Sequence, residues 1–152
     1  MLNQLKETIR DKYLDFGFTD DQRNAVLIVF GGFIALLITV GNLRIFSAGD
    51  LEPQAQEAML ALAKIEPVDI YKVSHHGSSF QFLPLMSALH PKIALITFGE
   101  GNSYGHPAAN TLAALKSLGA KILRTDQDGA ISVDEALKIR TKRNDWWNIS
   151  WG

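Results

Sequence analysis

Asp50, His75, His76 and His106 are the residues of this 152-residue chain whose types and spacing suit chemistry. Asp50 directly follows the run "LRIFSAG", and His75-His76 follow "VDIYKVS". His106 sits in a glycine-rich loop after "KIALITFG". If each run is a strand, three successive strands deliver Asp, His-His and His to loops at one edge of a sheet, where open α/β sheets hold their ligands. Carboxylate oxygen with imidazole nitrogen suits zinc, manganese or iron. The chain has no cysteine, so a thiolate site and a disulfide are both excluded. Each residue also has a plainer reading. Asp50 suits the cap of a helix starting near Pro53. His106 precedes Pro107 and reads as a helix-start residue, and His90 before Pro91 as a surface or turn residue. The series at strand ends is what favours a site over these single readings.

The elements that must position them follow from periodicity. Leu2, Leu5, Ile9, Tyr13 and Phe16 recur at helical spacing, predicting a helix over 2–15 that Gly17 closes. Strands fit 25–30, 34–40 and 43–48, the last two joined by a Gly41-Asn42 hairpin turn. Glu52-Pro53 opens a helix to about Lys64, and 68–73 is a strand ending at the two histidines. Residues 80–89 read as a short helix limited by Pro84, 92–99 as a buried strand, and 107–118 as a helix stopped by Gly119. "KILRT" and "AISV" read as two strands joined by the turn "DQDG". Strand–helix alternation after the hairpin implies an α/β fold, a mixed sheet with flanking helices, in a single domain over 1–152.

Bulk numbers bound the function. Hydrophobic residues are 47% and charged residues 20%, an ordinary globular balance. The net charge of −1 gives no global attraction to nucleic acid or an anionic membrane. The start, "MLNQLKETIRDKYL", lacks the layout of a signal peptide, which suits a cytoplasmic or membrane-peripheral protein. Residues 24–43 carry no charge over 20 positions, the length of a membrane-spanning helix. Their β-branched content, Gly31-Gly32 and the Gly41-Asn42 turn favour buried strands instead.

Three stretches, "FSAGDLEPQAQEAML", "VDIYKVSHHGSS" and "LITFGEGNSYGHPAANTLAALKSLGAKILRTDQDGAISV", carry a family resemblance. Together they resemble the C-terminal half of the metallo-β-lactamase-like domain in ComEC-type competence (DNA-internalisation) proteins, over about residues 34–133. The resemblance implies part of an αββα sandwich and a metal-dependent hydrolase of phosphodiesters or related esters, using zinc or manganese. It implies metal ligation by Asp50 and His75, substrate or leaving-group contact by His76, and a place for His106 lining the site. Lys72 and Ser78 are weaker candidates for phosphate contacts.

The departure is large. The His-x-His-x-Asp-His motif that supplies most ligands in such domains is missing, and no histidine precedes His75. A catalytic zinc needs three protein ligands plus water. The expectation is therefore a half-domain that is inactive alone, needing a partner chain that supplies the N-terminal half, or a homodimer to cover its open sheet. The alternative is a non-catalytic ligand- or DNA-binding remnant, membrane-associated if 24–43 spans. The tail over 134–152 gathers Lys138, Arg140, Lys142 and Arg143 with Trp146, Trp147 and Trp151. Basic residues among aromatics suit single-stranded DNA or a membrane interface. The near-neutral chain favours docking of these tryptophans on apolar surface.

Overall fold

Gly41 adopts φ +55°, and Asn42 follows it in a two-residue turn that brings Val40 opposite Leu43. Few residues other than glycine take that backbone conformation, so the turn fixes the register of the two strands it joins. In the computed structural model, which describes residues 24–30 and 33–142, this turn joins β2 (Phe33–Val40) to β3 (Leu43–Ser47). β1 (Asn24–Phe30) pairs antiparallel with β2 over seven residues, so residues 24–30 and 33–40 are strands and not a spanning helix. Among the described residues no helix is long and apolar enough to cross a membrane. The expected helix over 2–15 lies outside the described residues, as do Arg143 and the three tryptophans.

Three strand–helix units follow. α1 (Pro53–Leu62) leads to β4 (Ile70–Lys72), α2 (Leu83–Leu89) to β5 (Ile93–Ile96), and α3 (Ala109–Ser117) to β6 (Lys121–Arg124). The sheet order is β1-β2-β3-β4-β5-β6, with β3 to β6 parallel and β1 to β3 antiparallel. This is the expected mixed sheet. Successive parallel strands added in one direction through right-handed crossovers place every helix on the same face. The core agrees. Met59 of α1, Leu85, Met86 and Leu89 of α2, and Leu115 of α3 pack against Ala35, Phe46, Tyr71, Ala94 and Ile96 of the sheet. Each of the Leu, Ile, Met and Phe side chains contributes roughly 1.5–3 kcal/mol on full burial.

The opposite face is covered differently. Leu43, Ile70, Ile93 and Leu123 pack against Ile131, Val133, Leu137 and Ile139. Ile131, Val133 and Ile139 belong to a two-stranded antiparallel sheet, β7 (Ile131–Val133) with β8 (Ile139–Thr141), and Leu137 lies in the turn between them. Two expectations are corrected here. β6 and β7 do not form a hairpin. "TDQD" is instead one helical turn, α4 (Thr125–Asp128), because the Asp128 carboxylate accepts from the Arg124 N–H at 2.8 Å and folds the chain back. Residues 139–141, read as part of a basic tail, are a strand whose apolar side lies on the main sheet. The layers of the described residues are therefore helices, a six-stranded sheet, and a small two-stranded sheet.

Candidate functional site

Parallel strands β3 and β4 end side by side, with Ser47 in register with Lys72, and each is followed by a tight loop. The loop after β3 carries Gly49 at φ +55°, then Asp50. The loop after β4 is a short 3-10 turn over Ser74–Gly77. Within it His75 (φ 45°, ψ 43°), His76 (φ 52°, ψ 26°) and Gly77 (φ 79°) are three left-handed residues in a row. For the two histidines this costs roughly 1–3 kcal/mol each.

Six hydrogen bonds hold that conformation. His75 N–H donates to Gly49 O (3.1 Å), Ser78 N–H to His75 O (2.9 Å), and Ala108 N–H to Gly77 O (2.8 Å). The Ser74 hydroxyl donates to Leu51 O (2.7 Å), Gln81 Nε2 to Ser74 O (3.0 Å), and the Thr111 hydroxyl to Ser78 O (2.6 Å). At about 0.5–1.5 kcal/mol each they offset the strain of both histidines. Gly77 admits no side chain, since a Cβ there would lie 2.8 Å from Pro107 Cβ and 3.3 Å from Ile96 Cγ2.

The buried Gln56 of α1 ties the two loops together. Its Nε2 donates to Leu51 O at 2.7 Å, and its Oε1 accepts from Phe82 N–H at 3.1 Å. Beneath them Tyr71 is fully buried, its ring 6.0 Å from that of Phe46. Burial pushes its phenol up to about 12, against the pull of the Ser74 N–H on the hydroxyl at 3.4 Å.

This edge of the sheet holds two histidine–carboxylate pairs. His76 Nε2 lies 4.0 Å from Asp50 Oδ1, and His75 Nε2 lies 3.1 Å from Glu52 Oε1. Although close, Glu52 lies off the hydrogen-bonding direction, so among the described residues His75 Nε2 is shielded from solvent without an aligned partner. His76 Nδ1 is hydrogen-bonded to Thr97 O. A carbonyl only accepts, so Nδ1 carries the hydrogen and the neutral ring keeps its lone pair on Nε2, facing Asp50. A lone pair held in that way suits a general base, and the same nitrogen can act as an acid only after it has taken up a proton.

Asp50 does not cap α1. The capping position is Glu52, which makes no side-chain cap bond. His106 rides on the same edge through Pro107 and Ala108, which pack on and bond to Gly77. Its ring stacks with Tyr104 at 6.4 Å, and among the described residues it makes no hydrogen bond or ion pair with Asp50, His75 or His76. His90 is an exposed left-handed residue closing α2, as its turn reading anticipated. Ser78 is buried, with its hydroxyl spent within its own turn on the Phe80 backbone. Lys72 follows Tyr71 on the strand and so lies on the sheet face away from the helices.

These residues do not fit a metal centre by themselves. Asp50 faces His76 while His75 faces Glu52, and among the described residues no three His, Asp or Glu side chains form a group able to hold an ion. Sequence reasoning missed Glu52, read only as the opener of a helix. It also missed Gln56, Ser74, Gln81 and Thr111, whose polar side chains carry no pattern that distinguishes them from solvated positions.

No family model matches the chain. It is similar to ComE operon protein 3 of Bacillus subtilis, 32% identical over 99 residues that cover 64% of this chain and 13% of that protein. It is similar to competence protein ComA of Neisseria gonorrhoeae, 29% identical over 114 residues, 74% of this chain and 15% of that protein. Recombination protein 2 of Haemophilus influenzae is 24% identical over 135 residues, 84% of this chain and 16% of that protein. The chain thus spans 13–16% of the length of the curated relatives it matches, and their names support a relationship to competence proteins.

Proposed function

We propose that this chain is the strand–helix half of a metallo-β-lactamase-like hydrolase domain from the competence-protein lineage, inert as a hydrolase on its own. It offers the Asp50, His75, His76 and His106 edge to a phosphodiester and lacks the residues that would complete the site. The observation that carries this reading is the pairing itself. His76 is oriented with its Nε2 towards Asp50, while His75 is drawn to Glu52 and, among the described residues, no third ligand joins either pair. In this reading Asp50 and His75 are metal ligands only when a second chain contributes the rest. His76 contacts the substrate or its leaving group, and His106 lines the cleft beside Tyr104. Relatives named for competence supply the biological direction, a role connected with DNA uptake.

The test is a chromogenic phosphodiester with zinc or manganese, using wild type, Asp50→Ala and His75→Ala. The expected result is no turnover by wild type alone, and turnover once a chain carrying a His-x-His-x-Asp-His motif is added. Turnover by the isolated wild type that both substitutions abolish would overturn the proposal. So would failure of every such added chain to produce turnover, which would favour a non-catalytic binding remnant.

A further inference from the structure

The two edges of the main sheet are built in opposite ways. β6 closes one edge with only four residues, "KILR", of which the first and last are Lys121 and Arg124. Short strands and terminal charges are the usual means by which an edge resists pairing with another chain. β1 closes the other edge with seven residues, "NAVLIVF", without a charge or a proline. It is paired with β2 along its whole length, so its backbone is regular. Among the described residues nothing pairs with its outer side. An edge strand of that length and composition is a template for strand addition.

We infer that the outer edge of β1 pairs with β1 of a second copy of this chain, antiparallel about a two-fold axis at Leu27. Symmetry makes the pairing self-consistent. Leu27 opposes Leu27, Val26 opposes Ile28, Ala25 opposes Val29, and Asn24 opposes Phe30. None of these pairs sets like charges against each other, and the chain's net charge of −1 adds little repulsion between copies. The result is a continuous sheet of two six-stranded halves, with the His–Asp edges lying on separate protomers. This association is independent of whether the cleft has hydrolytic capacity.

The chain has no cysteine, which makes the test clean. Leu27→Cys sets two thiols across the axis, where opposed Cα atoms of an antiparallel pair lie about 4.5–5.5 Å apart, within disulfide range. Sedimentation of the wild-type full chain is expected to give a concentration-dependent monomer–dimer equilibrium. Mild oxidation of Leu27→Cys should give a covalent dimer at least tenfold faster than oxidation of Lys121→Cys on the opposite edge. Circular dichroism matched to wild type confirms that both variants fold, and if Leu27→Cys does not, Ala25→Lys with loss of the dimer serves in its place. A wild-type monomer at all concentrations, with the β1 edge then covered by another part of the chain, would overturn the inference. Equal cross-linking at the two edges would overturn it too.

Discussion

His76 presents Nε2 to Asp50 Oδ1 at 4.0 Å while its Nδ1 is held by Thr97 O. The ring is thus oriented from the β5 side and aimed at the loop after β3, linking two strand ends through one side chain. That orientation depends on His75, His76 and Gly77 remaining left-handed.

Gly77→Ala should therefore break the site as well as weaken the fold. The new methyl would meet the Pro107 ring carbon and Ile96, and the φ of +79° is unfavourable for alanine. The expected loss is about 1–3 kcal/mol, read as a lower urea midpoint at unchanged slope. An unchanged midpoint would mean that the loop has another arrangement.

Gln56→Leu tests the buried bridge between the two loops. It removes the donor to Leu51 O and the acceptor for Phe82 N–H. Two groups then lose partners, at about 1–3 kcal/mol for a buried one. Leu51 O keeps the Ser74 hydroxyl, so Gln56→Leu combined with Ser74→Ala should be more destabilising than the two single losses added together. Denaturation of all three variants checks this, and strict additivity would contradict it.

Tyr71 sets an alkaline limit. Its folded phenol titrates near 12 against an ordinary value of 10.0, because burial disfavours the phenolate. The neutral form is favoured in both states below pH 10, so the contribution is intact there. The unfolded chain ionises first as pH rises from 10 to 12, and about 2–3 kcal/mol of stability is lost across that window. Tyr71→Phe should flatten the decline, measured as thermal midpoint against pH. A parallel decline in both proteins would show that Tyr71 is not its source.

Much of this was legible from the sequence where local chemistry decides the structure. The Gly41-Asn42 turn, the strand before His75 and the Gly119 helix stop depend on backbone conformation and short-range periodicity, and each is found where expected. β8 was hidden because "KIRTKR" reads first as a run of charge. The alternation of Leu137, Ile139 and Thr141 with Lys138 and Arg140 is a half-buried strand pattern that could have revealed it. The "DQDG" segment misled because an Asp side chain closing a helical turn and an Asp in a hairpin turn share one composition. The pairing of His75 with Glu52, and of His76 with Asp50, depends on loop dihedrals that no spacing rule encodes.

Under the proposed function, Asp50 and His75 hold a metal only when a second chain contributes further ligands. Calorimetric titration of the purified full chain with zinc tests it most directly, with Asp50→Ala and His75→Ala titrated alongside. Wild type should bind more weakly than about 1 µM, a free energy smaller than about 8 kcal/mol, and the two variants should differ little from it. Binding of wild type tighter than about 1 µM, lost in both variants, would contradict the account.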